Sequence, residues 1–162
     1  MPQLILLRHA HALPVEQGKR DIARQLSERG RQEAAAAGAW LAQYHPSLDY
    51  VLCSPAQRTR RTAERVLSAL RDPPNLHLAA EIYDATATQL LALLADEHFH
   101  KGAVLLVGHN PGLTSLLRLL VEGGMPSPRV MPTASLALLE LSGALKPGGA
   151  RISAFWTPPS GD

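Results

Sequence analysis

QLILLRH, residues 3–9, carries the apolar run Leu4–Leu7 straight into Arg8 and His9. A strand with one wet face alternates apolar and polar residues. An unbroken apolar run instead marks a strand covered on both faces, as in parallel sheets flanked by helices. The pattern recurs in YVLCS (50–54) and AVLLVG (103–108), with helical stretches between. Ser27 is placed to cap a helix over ERGRQEAAAAGAWLAQY (28–44), and Ser54-Pro55 reads as N-cap and first helical residue of AQRTRRTAERVLSAL (56–70), ending before Pro73-Pro74. LHLAAEIY (76–83) reads as a weaker strand, and TATQLLALLADEH (86–98) as a helix with Leu90, Leu91 and Leu94 at helical spacing. Asn110-Pro111 repeats the cap-and-proline order before GLTSLLRLLVEG (112–123). Two strands then follow in succession, SLALLEL (135–141) and RISAFW (151–156), joined by the hairpin-like SGALKPGG (142–149). The expectation is a three-layer α/β/α sandwich with a mostly parallel central sheet and an antiparallel strand pair near the C-terminus. One domain is expected over 1–157, with a tail at 158–162.

The bulk composition narrows the function classes. At 162 residues and 46% hydrophobic, the chain suits one folded domain. Its formal charge of +2 directs it neither to nucleic acid nor to a membrane surface. The opening apolar run is too short and too weakly flanked for a signal peptide, and no segment approaches a membrane span, so a cytoplasmic protein is expected. The single cysteine, Cys53, excludes an internal disulfide and reads as a small core residue.

In an open α/β sheet, ligands bind at the carboxyl ends of the strands. Arg8, His9 and His11 follow the first strand. Ser54, Pro55 and Arg58 follow the second, Glu81 and Asp84 the third, and His109 and Asn110 the fourth. Two histidines, two arginines and a carboxylate converging on one edge suit the handling of a phosphoryl group. Guanidinium forks grip phosphate oxygens, helix N-termini favour anions, and a neutral imidazole can attack phosphorus. Taken singly, a strand that ends in two polar residues is ordinary.

The ordered blocks are more specific. LLRHAHA (6–12) resembles the Arg-His signature of the histidine phosphatase superfamily, with Ala10 where glycine is usual. CSPAQRTRRTAE (53–64), LLVGHNPGL (105–113) and ARQLSERGRQEA (23–34) resemble its other blocks, in family order, with Gln25 where proline is common. The short chain is most similar to the SixA-type phosphohistidine phosphatases. The resemblance implies a phosphoglycerate mutase-like fold and a metal-independent phosphatase without cofactor. His9 would be the nucleophile; Arg8, Arg58 and His109 would hold the phosphate with Asn110 beside them. Glu81 would be the general acid, with Asp84 as its competitor. A phosphorylated substrate is implied, with phosphohistidine on another protein as the leading candidate. A small-metabolite phosphomonoesterase and a non-catalytic phospho-ligand-binding module are the alternatives.

Other polar clusters read more plainly. Arg60, Arg61 and Arg65 suit a solvated helix face rather than a nucleic-acid site. His9/His11 and His98/His100 have two-residue spacing, but no carboxylate-rich stretch accompanies either pair, so no metal site is expected. His45 and His77 read as surface or turn residues; His11 is intermediate, either hydrogen-bonding near the pocket or merely ending the loop.

Overall fold

In a computed structural model, residues 2–44, 47–96, 102–121 and 130–159 are described. Strands β1 (Gln3–Arg8), β2 (Tyr50–Cys53), β3 (Leu76–Leu78), β4 (Ala103–Gly108), β5 (Leu136–Leu141) and β6 (Ala150–Trp156) form one sheet in the order β3-β2-β4-β1-β5-β6. β3, β2, β4 and β1 are parallel, while β5 runs antiparallel to β1 and β6 antiparallel to β5. The expected architecture is therefore present, including the C-terminal antiparallel pair.

Alternation along the central strands divides the core between two faces. Leu4, Leu6, Leu52, Val104 and Leu106 pack under helices α3 (Ala87–Asp96) and α4 (Gly112–Leu120). Ile5, Leu7, Val51, Cys53, Leu105 and Val107 pack under α1 (Glu28–Tyr44) and α2 (Gln57–Leu67). This is why β1 and β4 are apolar at every position between their ends. Cys53 is a core residue; burial pushes its thiol up to about 12, so it is no nucleophile at neutral pH. No helix among the described residues is long and apolar enough to cross a membrane.

Several boundaries depart from expectation, α2 among them ending at Leu67 and not at Leu70. The third strand ends at Leu78, and Ala80–Ile82 form a 3-10 turn, so Glu81 sits on that turn and not at a strand end. Ala79 and Ile82 are the buried residues here, and their three-residue spacing suits a 3-10 turn better than an alternating strand. Helix α2 starts at Gln57, not at Pro55, because Ala56 is still extended (φ -60, ψ 146) and stands as the N-cap. Helix α4 starts at Gly112, one residue later than a cap at Asn110 implies. Asn110 Oδ1 still accepts the Thr114 N–H at 3.2 Å. His45, His98, His100 and the ends of the runs drawn to 98 and 123 lie outside the described residues.

Candidate active site

The carboxyl edge gathers β1, β2 and β4 side by side, since β4 pairs with both of the others. Their ends present Arg8 and His9, Ser54, and His109. The first turn of α2 adds Arg58, at the end of that helix where the dipole favours anions.

His9 is 8% exposed, and its Nδ1 lies 2.7 Å from the Ala10 carbonyl. A carbonyl only accepts, so Nδ1 carries the proton and Nε2 keeps its lone pair. Burial holds the ring well below the ordinary imidazole value, at about 4; the Ala10 bond opposes this, and the Arg58, Arg8 and Arg24 charges reinforce it. His9 is therefore a neutral imidazole at neutral pH, with its lone pair in a field of cations.

His109 lies with its ring centroid 5.4 Å from that of His9. Its Nε2 is 2.7 Å from Ser54 Oγ. Ser54 is fully buried, its oxygen accepts the Ala56 N–H at 3.4 Å, and its hydroxyl proton has no acceptor but His109 Nε2 among the described residues, so Ser54 donates to that nitrogen. That places the ring proton on Nδ1, which is buried without a hydrogen-bond partner among the described residues. Burial first, then Arg58 and His9, lowers His109 to about 3. Ser54→Ala is expected to release this tautomer and cost about tenfold in kcat/KM. NMR of the imidazole nitrogens should show His109 protonated at Nδ1 in the native protein and as mixed tautomers in the variant.

Arg8 and Arg58 are held from behind. Arg8 Nη1 donates to the Met131 carbonyl at 3.0 Å. Arg58, 6% exposed, donates from Nη1 to the Asp21 carbonyl at 3.0 Å and from Nη2 to Asp21 Oδ2 at 3.1 Å. The Nε atoms of both arginines are buried with no acceptor among the described residues. Asn110 braces the same region: Nδ2 donates to Met131 O at 2.9 Å and Oδ1 accepts the Thr114 hydroxyl at 2.9 Å.

The carboxylate joined to this cluster is Asp21, which the sequence reading passed over. It stands in a 3-10 turn (Asp21–Ala23) of the loop that follows β1, and accepts the Tyr83 hydroxyl as well as Arg58. The Tyr83 bond, with help from Arg58 and Arg24, holds it down at about 2. Tyr83 in turn sets its ring edge-on to His109 at 5.4 Å. Glu81 and Asp84 are exposed and line an open groove of about 530 Å³ beside Tyr83. Neither has a hydrogen bond or ion pair to His9, His109, Arg8 or Arg58 among the described residues. His11 is engaged by the start of α1, its Nδ1 2.6 Å from Ser27 Oγ. Arg61 pairs with Glu64 on the exposed face of α2. No group of three metal-ligating side chains occurs among the described residues.

A profile of the histidine phosphatase superfamily (branch 1) matches residues 4–82. An uncharacterized protein, Rv1276c, of Mycobacterium tuberculosis is 30% identical over 162 residues, covering 94% of this chain and 99% of its own. A chain assigned as phosphohistidine phosphatase SixA of Agrobacterium tumefaciens superposes with a TM-score of 0.83 at 29% identity, over 98% of this chain and 99% of its own. One so assigned from Nakamurella multipartitia superposes with a TM-score of 0.85 at 29% identity, over 98% and 97%.

Proposed function

The chain belongs to the histidine phosphatase superfamily and is a phosphatase, and from that premise we propose that it hydrolyses phosphohistidine on other proteins through a covalent intermediate on His9. The observation that carries this reading is the free Nε2 of a neutral His9, flanked by Arg8, Arg58 and His109. Nε2 attacks phosphorus in line and the bond to the leaving group breaks, its electron pair going to the departing nitrogen or oxygen. Water then attacks the phosphorylated ring, releasing phosphate and restoring His9. Arg8, Arg58 and His109 Nδ1–H hold the transferring oxygens, and in a site shielded from water each such donor is worth roughly 3 kcal/mol of barrier. Asn110 supports them with its remaining amide hydrogen.

Two features favour a phosphoramidate on a bulky carrier. First, no carboxyl group in the cluster is poised to give up a proton: Asp21 is held ionised, and Glu81 and Asp84 face the outer groove. An alkoxide leaves badly without a proton, whereas the ring of a phosphohistidine can carry its own and depart as neutral imidazole. Second, the described residues between β3 and β4 hold little more than the 3-10 turn and α3, and among them no inserted cap stands over the pocket.

A series of phosphoesters graded by leaving-group pKa, run beside a phosphohistidine peptide, tests this. The peptide should be cleaved with a far higher kcat/KM than alkyl phosphates. Glu81→Gln and Asp84→Asn should change peptide hydrolysis less than about threefold. If Glu81→Gln slows alkyl phosphates strongly and nitrophenyl phosphate little, Glu81 is the acid after all and a metabolite phosphatase becomes the better reading.

A further inference from the structure

The pocket described above accounts for the strand ends but not for a buried charge behind them. Glu33, on the second turn of α1, is 7% exposed. One carboxylate oxygen accepts the His11 N–H at 2.8 Å and the Thr133 hydroxyl at 3.0 Å. The other accepts Arg29 Nε at 3.3 Å and lies 3.2 Å from the same hydroxyl. Burying a carboxylate is costly unless its lone pairs are filled, and here they are filled by two separate chain segments.

Both segments bear on the site. His11 lies two residues beyond His9, and α1 is seated hard against it. Ser27 N–H donates to the His11 carbonyl at 3.0 Å, and a Cβ on Gly30 would come within 2.0 Å of that oxygen. Only glycine lets the helix start so close. Thr133 belongs to the turn that backs β1. Ala134 N–H donates to the carbonyls of Arg8 at 3.1 Å and His9 at 3.0 Å, while Met131 O receives Arg8 Nη1. Ala134 adopts φ +57, a left-handed conformation that a residue with a side chain keeps only where its surroundings enforce it. The Glu33 charge also favours the cationic form of Arg8, which burial alone opposes.

We infer that Glu33 is a positioning residue for Arg8 and His9: by gripping the His11 amide and the Thr133 hydroxyl together, it locks the chain after the nucleophile to the turn that orients the guanidinium. Misplacement of a reacting group by a fraction of an ångström is felt in the chemical step more than in substrate capture. The inference rests on the His9 reading for what is being aligned, so its test uses vanadate binding, a readout apart from turnover, as well as kinetics.

Glu33→Ala, Glu33→Gln, Thr133→Val and the Glu33→Ala/Thr133→Val pair are compared with Leu41→Ala, a core truncation on the same helix that touches neither segment. Kinetics are run at a temperature where each variant is folded by circular dichroism. Glu33→Ala should lower kcat on the order of thirtyfold, leave KM within about threefold and weaken vanadate about tenfold. Glu33→Gln, which keeps an acceptor oxygen for both donors, should recover most of that loss. The double variant should be no worse than Glu33→Ala, because both changes break one link. Leu41→Ala should lose stability but keep kcat within twofold. Native kcat and vanadate affinity in Glu33→Ala would overturn the inference. So would a kcat loss in Leu41→Ala as large as in Glu33→Ala, since that would make the effect one of general stability. If Glu33→Ala does not fold, Thr133→Val decides: a fivefold or greater fall in kcat with unchanged KM supports the link, and native kcat overturns it. A native protein that binds vanadate but hydrolyses no phosphohistidine peptide counts against the proposed function and leaves the Glu33 comparison readable through binding.

Discussion

His9→Ala is expected to lose turnover by on the order of a thousandfold or more while keeping its fold. In the proposed mechanism the ring is the covalent carrier, and no other residue of the cluster, among those described, is placed to replace it. His109 is turned so that Nε2 meets Ser54, and Cys53 is buried as a protonated thiol. The structural role of the His9 ring is small by comparison, since among the described residues its side-chain hydrogen bond is to the neighbouring Ala10 carbonyl and joins no distant segment. Circular dichroism and thermal melting should therefore stay close to native. Steady-state hydrolysis of the phosphohistidine peptide and of nitrophenyl phosphate should fall together, because both need the same nucleophile. A variant that retains more than a few per cent of activity on either would remove His9 from the centre of the mechanism.

Arg58→Lys is expected to cost on the order of a hundredfold in kcat/KM, although the charge is kept. Arg58 meets Asp21 through two different nitrogens, at the carbonyl and at Oδ2, and its ring-like plane lies with the guanidinium carbon 6.0 Å from the centre of Tyr83. These contacts fix the plane of the fork and so the direction of the donors left for phosphate. A lysine offers one ammonium on a flexible stem, which satisfies either Asp21 or the phosphate. Orthophosphate inhibition and turnover should both weaken. A loss of only a few-fold would leave Arg58 the structural role of tying α2 to Asp21, with no special share in the pocket.

The sheet was readable because its central strands are unusual. Each of β1 and β4 is apolar at consecutive positions, which only a doubly covered strand tolerates, and α1 begins where Ser27 predicts, with Ser27 Oγ accepting the Gly30 N–H at 3.0 Å. His9, Arg8, Arg58 and His109 were legible for a related reason: strand ends and a helix start deliver them to one edge. The misses lie where a distant contact or a local backbone turn decides. Ser54-Pro55 has the form of a cap, and Ser54 Oγ does accept the Ala56 N–H, but Ala56 stays extended, the hydroxyl reaches His109, and the helix begins at Gln57. Asp21 sits in an irregular loop with no periodicity to mark it, and its meaning comes from Arg58 and Tyr83, which only the fold brings near. LHLAAEIY has the pattern of one strand that would end beside Glu81. At the sheet edge β3 has a single neighbour, His77 and Leu78 are exposed, and the chain turns into a 3-10 coil before Glu81. Nothing in the helix around Glu33 marks it as buried; its partner Thr133 stands a hundred residues on.

The central claim is that phosphorus passes through His9 Nε2. The protein is mixed with a phosphohistidine peptide or a small phosphoramidate, quenched in alkali within the first turnover, digested and sequenced by mass spectrometry. The account predicts a phosphoryl group on His9 alone, stable to base, lost in acid and absent from His9→Ala. A phosphoryl group on another residue would contradict it, as would the lack of any adduct under conditions where product forms in a burst.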